Sequence, residues 1–262
     1  IFAPNIFKDK VVVITGGGTG IGKATSLKFA SLGANCVIAA RRREPLEETK
    51  KEVENLFPNV ECIAVPNTDI RQEENVESLF QKVVEKFNRV DILINNAGAN
   101  FLSPTDEMSI KGWNAVVGTV LNGTFLCSKA AARIMRDRGG GKIINMGATT
   151  AIFGSPYAAH SASAKSALEG LTRTLALEWA KYKIIVNLIA IGILPTKGAK
   201  DNVGISDQIY EGIKRQTPLG RLVTPEDIAN VTVFLASPAA DCINGATIVA
   251  DGGHWFAKGF LM

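Results

Sequence analysis

The stretch that most constrains this chain is residues 10–22, KVVVITGGGTGIG. Val11 to Ile14 is a short β-branched apolar run, the composition of a strand buried in a parallel sheet. It ends in Thr15 and three successive glycines, and Thr19-Gly20-Ile21-Gly22-Lys23-Ala24 then opens a segment of helical periodicity. A strand, a glycine-rich turn and a helix offer bare backbone N–H groups and a positive helix end to a phosphate. Gly16, Gly20 and Gly22 are spaced G-x-x-x-G-x-G, unlike the G-x-G-x-x-G dinucleotide pattern, but they serve the same tight turn and close approach. Glycine weakens helices and strands, so three at one junction point to a bound nucleotide rather than to a ligand-free turn.

The second apolar run, Cys36 to Ala40, ends in Arg41-Arg42-Arg43. In a dinucleotide fold this strand end meets the adenosine ribose, and an acidic residue there would bond the 2′-hydroxyl of NAD. Ala39-Ala40-Arg41 carries no carboxylate, and a guanidinium suits a 2′-phosphate. NADP(H) is therefore the expected cofactor, with Arg41 the first phosphate ligand and Arg42 the second. Residues 44–56 read as a helix, Val60 to Val65 as a third strand and 72–87 as a helix. Asp69, at that strand's C-terminal end, is placed to accept from an adenine amino group or to cap the helix that follows. A fourth strand, Asp91 to Ile94, is broken by Asn95-Asn96-Ala97-Gly98, a tight loop whose backbone can face a cofactor.

Residues 107–136 read as helix, with Trp113 and Phe125 in the core. Further strands are expected at Lys142 to Met146, Ile184 to Ile191 and Ala246 to Val249, and helices at 161–181 and 225–235. Pro195 opens a looser region to about residue 215. Strands alternating with helices predict one α/β domain over 1–262: a doubly wound parallel sheet of about seven strands with helices on both faces.

A net charge of +4 without any basic run gives no support for a nucleic-acid partner. Cys36, Cys62, Cys127 and Cys242 form no C-x-x-C pair, so neither a metal site nor a redox pair is expected, only buried reduced thiols. No apolar run reaches the length of a membrane span, no secretory signal is read, and Phe260-Leu261-Met262 is not a peroxisomal S-K-L ending.

Together TGGGTGIG at 15–22, Asp69, NNAG at 95–98, Lys165 in a long helix, VNLIAIG at 186–192 and VADGG at 249–253 resemble the classical short-chain dehydrogenase/reductases. The resemblance implies a Rossmann fold, hydride transfer with NAD(P), self-association as a homotetramer, and cofactor contacts from Gly16, Thr19, Gly20, Ile21, Gly22, Arg41, Arg42, Asp69, Ile70, Asn96, Ala97, Gly98, Lys165 and Ile193. The family's usual catalytic set is Asn, Ser and Tyr-x-x-x-Lys. Tyr and Lys four apart share one helical face, and the ammonium depresses the phenol pKa. This chain keeps Lys165 but has Ser161 where the Tyr would stand, Ala148 at the Ser position and Val120 at the Asn position.

The changed pattern has its own likeness. VLNGTF (120–125), SASAKS (161–166), EWAKY (178–182), FLSPTDEMS (101–109) and PTKGA (195–199) resemble the NADPH-dependent 2,4-dienoyl-CoA reductases of mitochondria and peroxisomes, with some likeness to peroxisomal trans-2-enoyl-CoA reductases. That resemblance implies an acyl-CoA thioester substrate, catalytic roles for Asn122 and Ser161, and a mitochondrial-matrix or peroxisomal compartment, with the cytoplasm as the alternative. A Tyr that these reductases use after the fifth strand has no counterpart in residues 148–153. Tyr157 is the best remaining phenol; Gly154 and Pro156 start the helix late, so it can fold back into the cleft, the alternative being a packing tyrosine. His160 is a weaker candidate acid, and reads more readily as a helix-start residue. Asn100 and Phe101 are expected against the acyl chain, Arg71, Lys197 and Lys214 near the CoA phosphates, and 194–215, with Gly198 and Gly204, as a lid. The rival expectations are a ketone or alcohol oxidoreductase using Tyr157, and a non-catalytic cofactor-binding homologue.

Overall fold

A computed structural model describes residues 2–196 and 206–257. Seven parallel strands lie in the order β3-β2-β1-β4-β5-β6-β7. They are β1 (Val11–Thr15), β2 (Asn35–Ala39), β3 (Cys62–Val65), β4 (Ile92–Asn95), β5 (Gly141–Met146), β6 (Ile184–Ile191) and β7 (Thr247–Ala250). Among the described residues the α-helices are α1 (Gly20–Ser31), α2 (Arg43–Leu56), α3 (Glu73–Phe87), α4 (Ile110–Val117), α5 (Gly123–Arg136), α6 (Thr150–Phe153), α7 (Ala159–Trp179), α8 (Asp207–Gln216), α9 (Pro225–Ala236) and α10 (His254–Ala257).

Period-two alternation splits each buried strand between two cores. Val12 and Ile14 of β1 join Phe29 of α1, Leu46 of α2 and Ile228 of α9 on one face. Val11 and Val13 join Leu79 of α3, Met135 of α5 and Leu175 of α7 on the other. A smaller cluster, with Val116, Val120, Ala164 and Leu168, locks α4 against α7. Residues 110–136 form one continuous helix, long and apolar enough by composition to cross a membrane, yet 44% of its most apolar window is buried within the molecule.

Several elements differ from the sequence expectation. The long helix starts at Ile110 rather than 107, because Ser109 caps it by accepting the Gly112 N–H (3.1 Å). It is interrupted by a π-helical segment, Gly118–Asn122, that periodicity does not reveal. Thr119 and Thr124 hydroxyls donate back to the Ala115 and Val120 carbonyls across this interruption. Phe125 is 44% exposed instead of core, Trp113 is half-buried, and Cys242 is exposed while the other three thiols are buried. α8 occupies part of the region expected to be loose; Ser206 caps it by accepting the Ile209 N–H. The short helices α6 and α10 were also not foreseen.

The glycine-rich turn is shaped by close approach. A Cβ on Gly22 would stand 2.1 Å from the Gly16 carbonyl oxygen and 2.7 Å from Asn96 Nδ2. Gly22→Ala should therefore cost about 1–3 kcal/mol of overpacking strain. Gly212 in α8 meets nothing within 4 Å, and Gly212→Ala should stabilise by about 0.5–1 kcal/mol. Urea midpoints that move in opposite directions are the expected result; an unchanged midpoint for Gly22→Ala would show that the turn has slack.

Candidate active site

The site lies at the C-terminal strand ends, where β1 separates β2 from β4 and the chain direction of the sheet order reverses. A clasp holds the two sides of this switch point together. Thr15 Oγ1 accepts the backbone N–H groups of Asn96 (3.1 Å) and Ala97 (3.0 Å). Asn96 Nδ2 donates to the carbonyls of Thr15 (2.9 Å) and Gly16 (3.2 Å). The clasp floors a cleft with a cavity volume of about 360 Å³.

Eleven of the residues expected at the cofactor line this cleft: Gly16, Thr19, Gly20, Ile21, Arg41, Arg42, Asp69, Ile70, Asn96, Ala97 and Gly98. Gly22, Lys165 and Ile193 are not on its wall; Gly22 packs beneath the turn instead. Thr68, Thr119 and Thr196 also line the cleft. Sequence reasoning passed over them, although Thr119 adjoins the Val120 position and Thr196 follows Pro195.

The cleft has the chemistry of an anion site. Thr19 is the N-cap residue of α1 without a side-chain capping bond, which leaves the first-turn N–H groups facing the cleft end of the helix. Gly16 and Gly20 adopt φ of 69° and 52°, so bare backbone borders the cleft there. β2 ends at Ala39, Ala40 follows it, and Arg41 and Arg42 are exposed beyond. A phosphate-bearing nucleotide fits this set of donors.

Asp69 and Arg71 correct two expectations. The N-cap of α3 is Gln72, so Asp69 does not cap that helix. Its carboxylate instead accepts from Arg71 Nε (2.9 and 3.0 Å) and from Arg71 Nη2. The Arg71 hydrogen bonds hold the Asp69 carboxyl below its usual pKa, with a smaller contribution from Arg41. Arg71 is thus already engaged, not an open rim cation.

The catalytic candidates surround the start of α7. Ser161 is buried; Lys165, one turn on, is half-buried and its Nζ donates to the Met146 carbonyl at the end of β5. Desolvation lowers the Lys165 pKa to about 8. Asn122 is the last residue of the π segment and is exposed. α7 begins at Ala159, after Tyr157, as Gly154 and Pro156 indicate. Tyr157 has a φ of 63° and is 58% exposed, and its carbonyl accepts the Ser103 N–H (2.8 Å). That left-handed conformation is costly for a bulky side chain and marks the turn as constrained.

His160 is buried, its ring edge-on to Phe101 at 4.4 Å between centroids, and its Nδ1 accepts the Ser161 N–H (2.7 Å). Burial pushes its pKa down, so it is a neutral packing residue rather than an acid at the cleft. Asn100 Oδ1 accepts the Phe101 N–H (3.0 Å), and Tyr210 is buried on α8. Lys197, Gly198 and Gly204, with the middle of the proposed lid, lie outside the described residues. No group of three or more His, Cys, Asp or Glu able to hold a metal occurs among the described residues.

The sequence from residue 16 to residue 254 matches the family model described as enoyl-(acyl carrier protein) reductase. A Bacillus subtilis protein named as a probable 2,4-dienoyl-CoA reductase, (2E)-enoyl-CoA-producing, is 43% identical over 95% of this chain and 97% of its own. A Danio rerio protein named as a peroxisomal 2,4-dienoyl-CoA reductase, (3E)-enoyl-CoA-producing, is 34% identical over 98% of this chain and 85% of its own. Among solved structures, a short chain dehydrogenase from Bacillus anthracis superposes with a TM-score of 0.83 at 42% identity, covering 94% of this chain and 96% of that one. Levodione reductase superposes with a TM-score of 0.90 at 32% identity, covering 95% and 99%. With its seven-stranded parallel sheet and nucleotide cleft, the chain belongs to the short-chain dehydrogenase/reductase family of nicotinamide-nucleotide oxidoreductases.

Proposed function

We propose that this protein reduces the conjugated chain of a 2,4-dienoyl- or trans-2-enoyl-CoA thioester with NADPH. The observation that carries the reading is the second coherent set at the site: Lys165 tied to the end of β5 with Ser161 one turn before it and Asn122 on the π segment, in place of the family's Tyr, Ser and Asn. The names of the relatives support the same substrate class.

When bound, the nicotinamide supplies a hydride to a conjugated carbon. Arg41 and Arg42 hold the 2′-phosphate, and the α1 N-terminus holds the pyrophosphate. Lys165 binds the ribose hydroxyls and lends positive charge, and Ser161 orients it. Asn122 and a hydroxyl donate to the thioester oxygen as negative charge builds there. Tyr157 delivers the proton; delivery at Cα leaves a trans-3-enoyl product, at Cγ a trans-2-enoyl product. Asn100 and Phe101 border the acyl chain. Lys197 and Lys214 stand for the CoA phosphates, with 194–215 as the lid. A homotetramer belongs to the same reading: Leu177 and Phe125 are exposed on α7 and α5, and β7 is a free sheet edge. So does a mitochondrial or peroxisomal setting.

The deciding assay follows NADPH oxidation with a trans-2,trans-4-dienoyl-CoA, a trans-2-enoyl-CoA and a simple ketone in parallel. Preference for either thioester supports the proposal. Turnover of the ketone alone would favour carbonyl chemistry, and binding of NADPH without turnover of any of the three would favour a non-catalytic role.

Two variants follow from the charges. Arg41→Ala should raise the Kd for NADPH by on the order of tenfold or more and leave NADH within about threefold, since a charge-assisted phosphate bond contributes about 1.5–3 kcal/mol. Equal effects on both would remove the 2′-phosphate assignment. Because burial lowers the Lys165 pKa to about 8, its ammonium is present below that pH and lost above it. kcat/KM for NADPH should therefore fall by on the order of tenfold per pH unit on the alkaline side. Lys165→Ala should abolish turnover, and near-wild-type rates would contradict its role.

A further inference from the structure

Beneath the cleft runs a chain of buried polar side chains that no catalytic step uses. Asn95 Nδ2, on β4, donates to Ser128 Oγ on α5 (2.9 Å) and to Asn145 Oδ1 on β5 (2.9 Å). Asn145 Nδ2 donates in turn to Thr172 Oγ1 on α7 (2.9 Å). All four residues are at most 4% exposed. Asn95 and Asn145 are direct partners in the β4–β5 register, so the chain crosses the sheet by its shortest path.

Each member is joined to the site above. Asn95 precedes Asn96, the clasp residue. Asn145 precedes Met146, whose carbonyl holds Lys165 Nζ. Ser161, Lys165 and Thr172 are separated by four and then seven residues, so they form one stripe on α7, with Thr172 about 10 Å along the axis from Lys165. Ser128 lies on the helix that continues directly from Asn122. Buried polar groups cost stability unless paired, and within this chain Asn95 Oδ1 has no partner among the described residues; the three directional bonds that are made fix a single register where apolar packing allows several.

We propose that Ser128, Asn95, Asn145 and Thr172 are positioning residues: their hydrogen-bond chain sets α5 and α7 against the ends of β4 and β5, and so holds Asn122, Lys165 and Ser161 in register with the nucleotide cleft. The catalytic consequence rests on the function proposed above; the placement of Lys165 does not.

Thr172→Val keeps the shape and removes the hydroxyl, and Thr172→Ser keeps the hydroxyl. Both are compared with wild type well below their melting temperatures. Thr172→Val should lower kcat by on the order of a hundredfold, with KM for the acyl-CoA within about threefold, as a small misplacement of a catalytic group does. Thr172→Ser should recover most of that loss. NADPH binding, followed by its fluorescence across pH, supplies a reading independent of any acyl-CoA. Its alkaline limb, set by Lys165, should shift in Thr172→Val and return in Thr172→Ser. A variant that only melts earlier, with kcat and the binding profile unchanged, would overturn the proposal. A wild type inactive on every thioester would sink the functional reading alone, since the binding profile still decides this one. Should Thr172→Val not fold, Ser128→Ala is read in the same two ways, at the α5 end of the chain.

Discussion

The structure depends on the clasp between Thr15 and Asn96. It joins the turn after β1 to the end of β4 at the one place where the sheet order reverses. Four hydrogen bonds between two short segments leave no room for a side chain at Gly22 and little at Gly16. The glycines thus serve the protein before they serve any ligand. Once the turn is fixed, the α1 N-terminus, the end of β2 and the 96–98 loop converge on one cleft without further adjustment.

Electrostatics then sets the cleft's arginines apart from Lys165. At the end of β2, Arg71 takes up the Asp69 carboxylate, so Arg41 and Arg42 line the cleft beside an anion that is already paired. Off the cleft wall, Lys165 is desolvated and held by the Met146 carbonyl, the setting in which an ammonium titrates nearest neutrality.

Much of this was legible in the sequence. The β-branched runs with period-two burial, the glycine turn and the arginines after β2 each carry a local physical signal, and the sheet and cleft follow from them. What escaped was decided by contacts rather than pattern. The π segment at 118–122 packs with α4 against α7, a contact that periodicity alone does not encode. Phe125 reads as core on that helix but faces outward after the register shift. Arg71 reads as a free cation until the fold brings its guanidinium back onto Asp69, two residues away. The polar chain from Ser128 to Thr172 joins residues scattered over four elements, each ordinary on its own. His160 stands in the first turn of α7, as the helix-start reading has it, but its burial edge-on to Phe101 is a contact that no local pattern shows.

Where the transferred hydrogen goes is the most direct question about the chemistry. NADPH carrying deuterium at the transferred position would be turned over with a trans-2,trans-4-dienoyl-CoA, and the label located in the product by NMR. Deuterium on an acyl-chain carbon, with the thioester intact, is the expected result. Deuterium at the carbonyl carbon, or no label in the product, would contradict reduction of a conjugated thioester at this site.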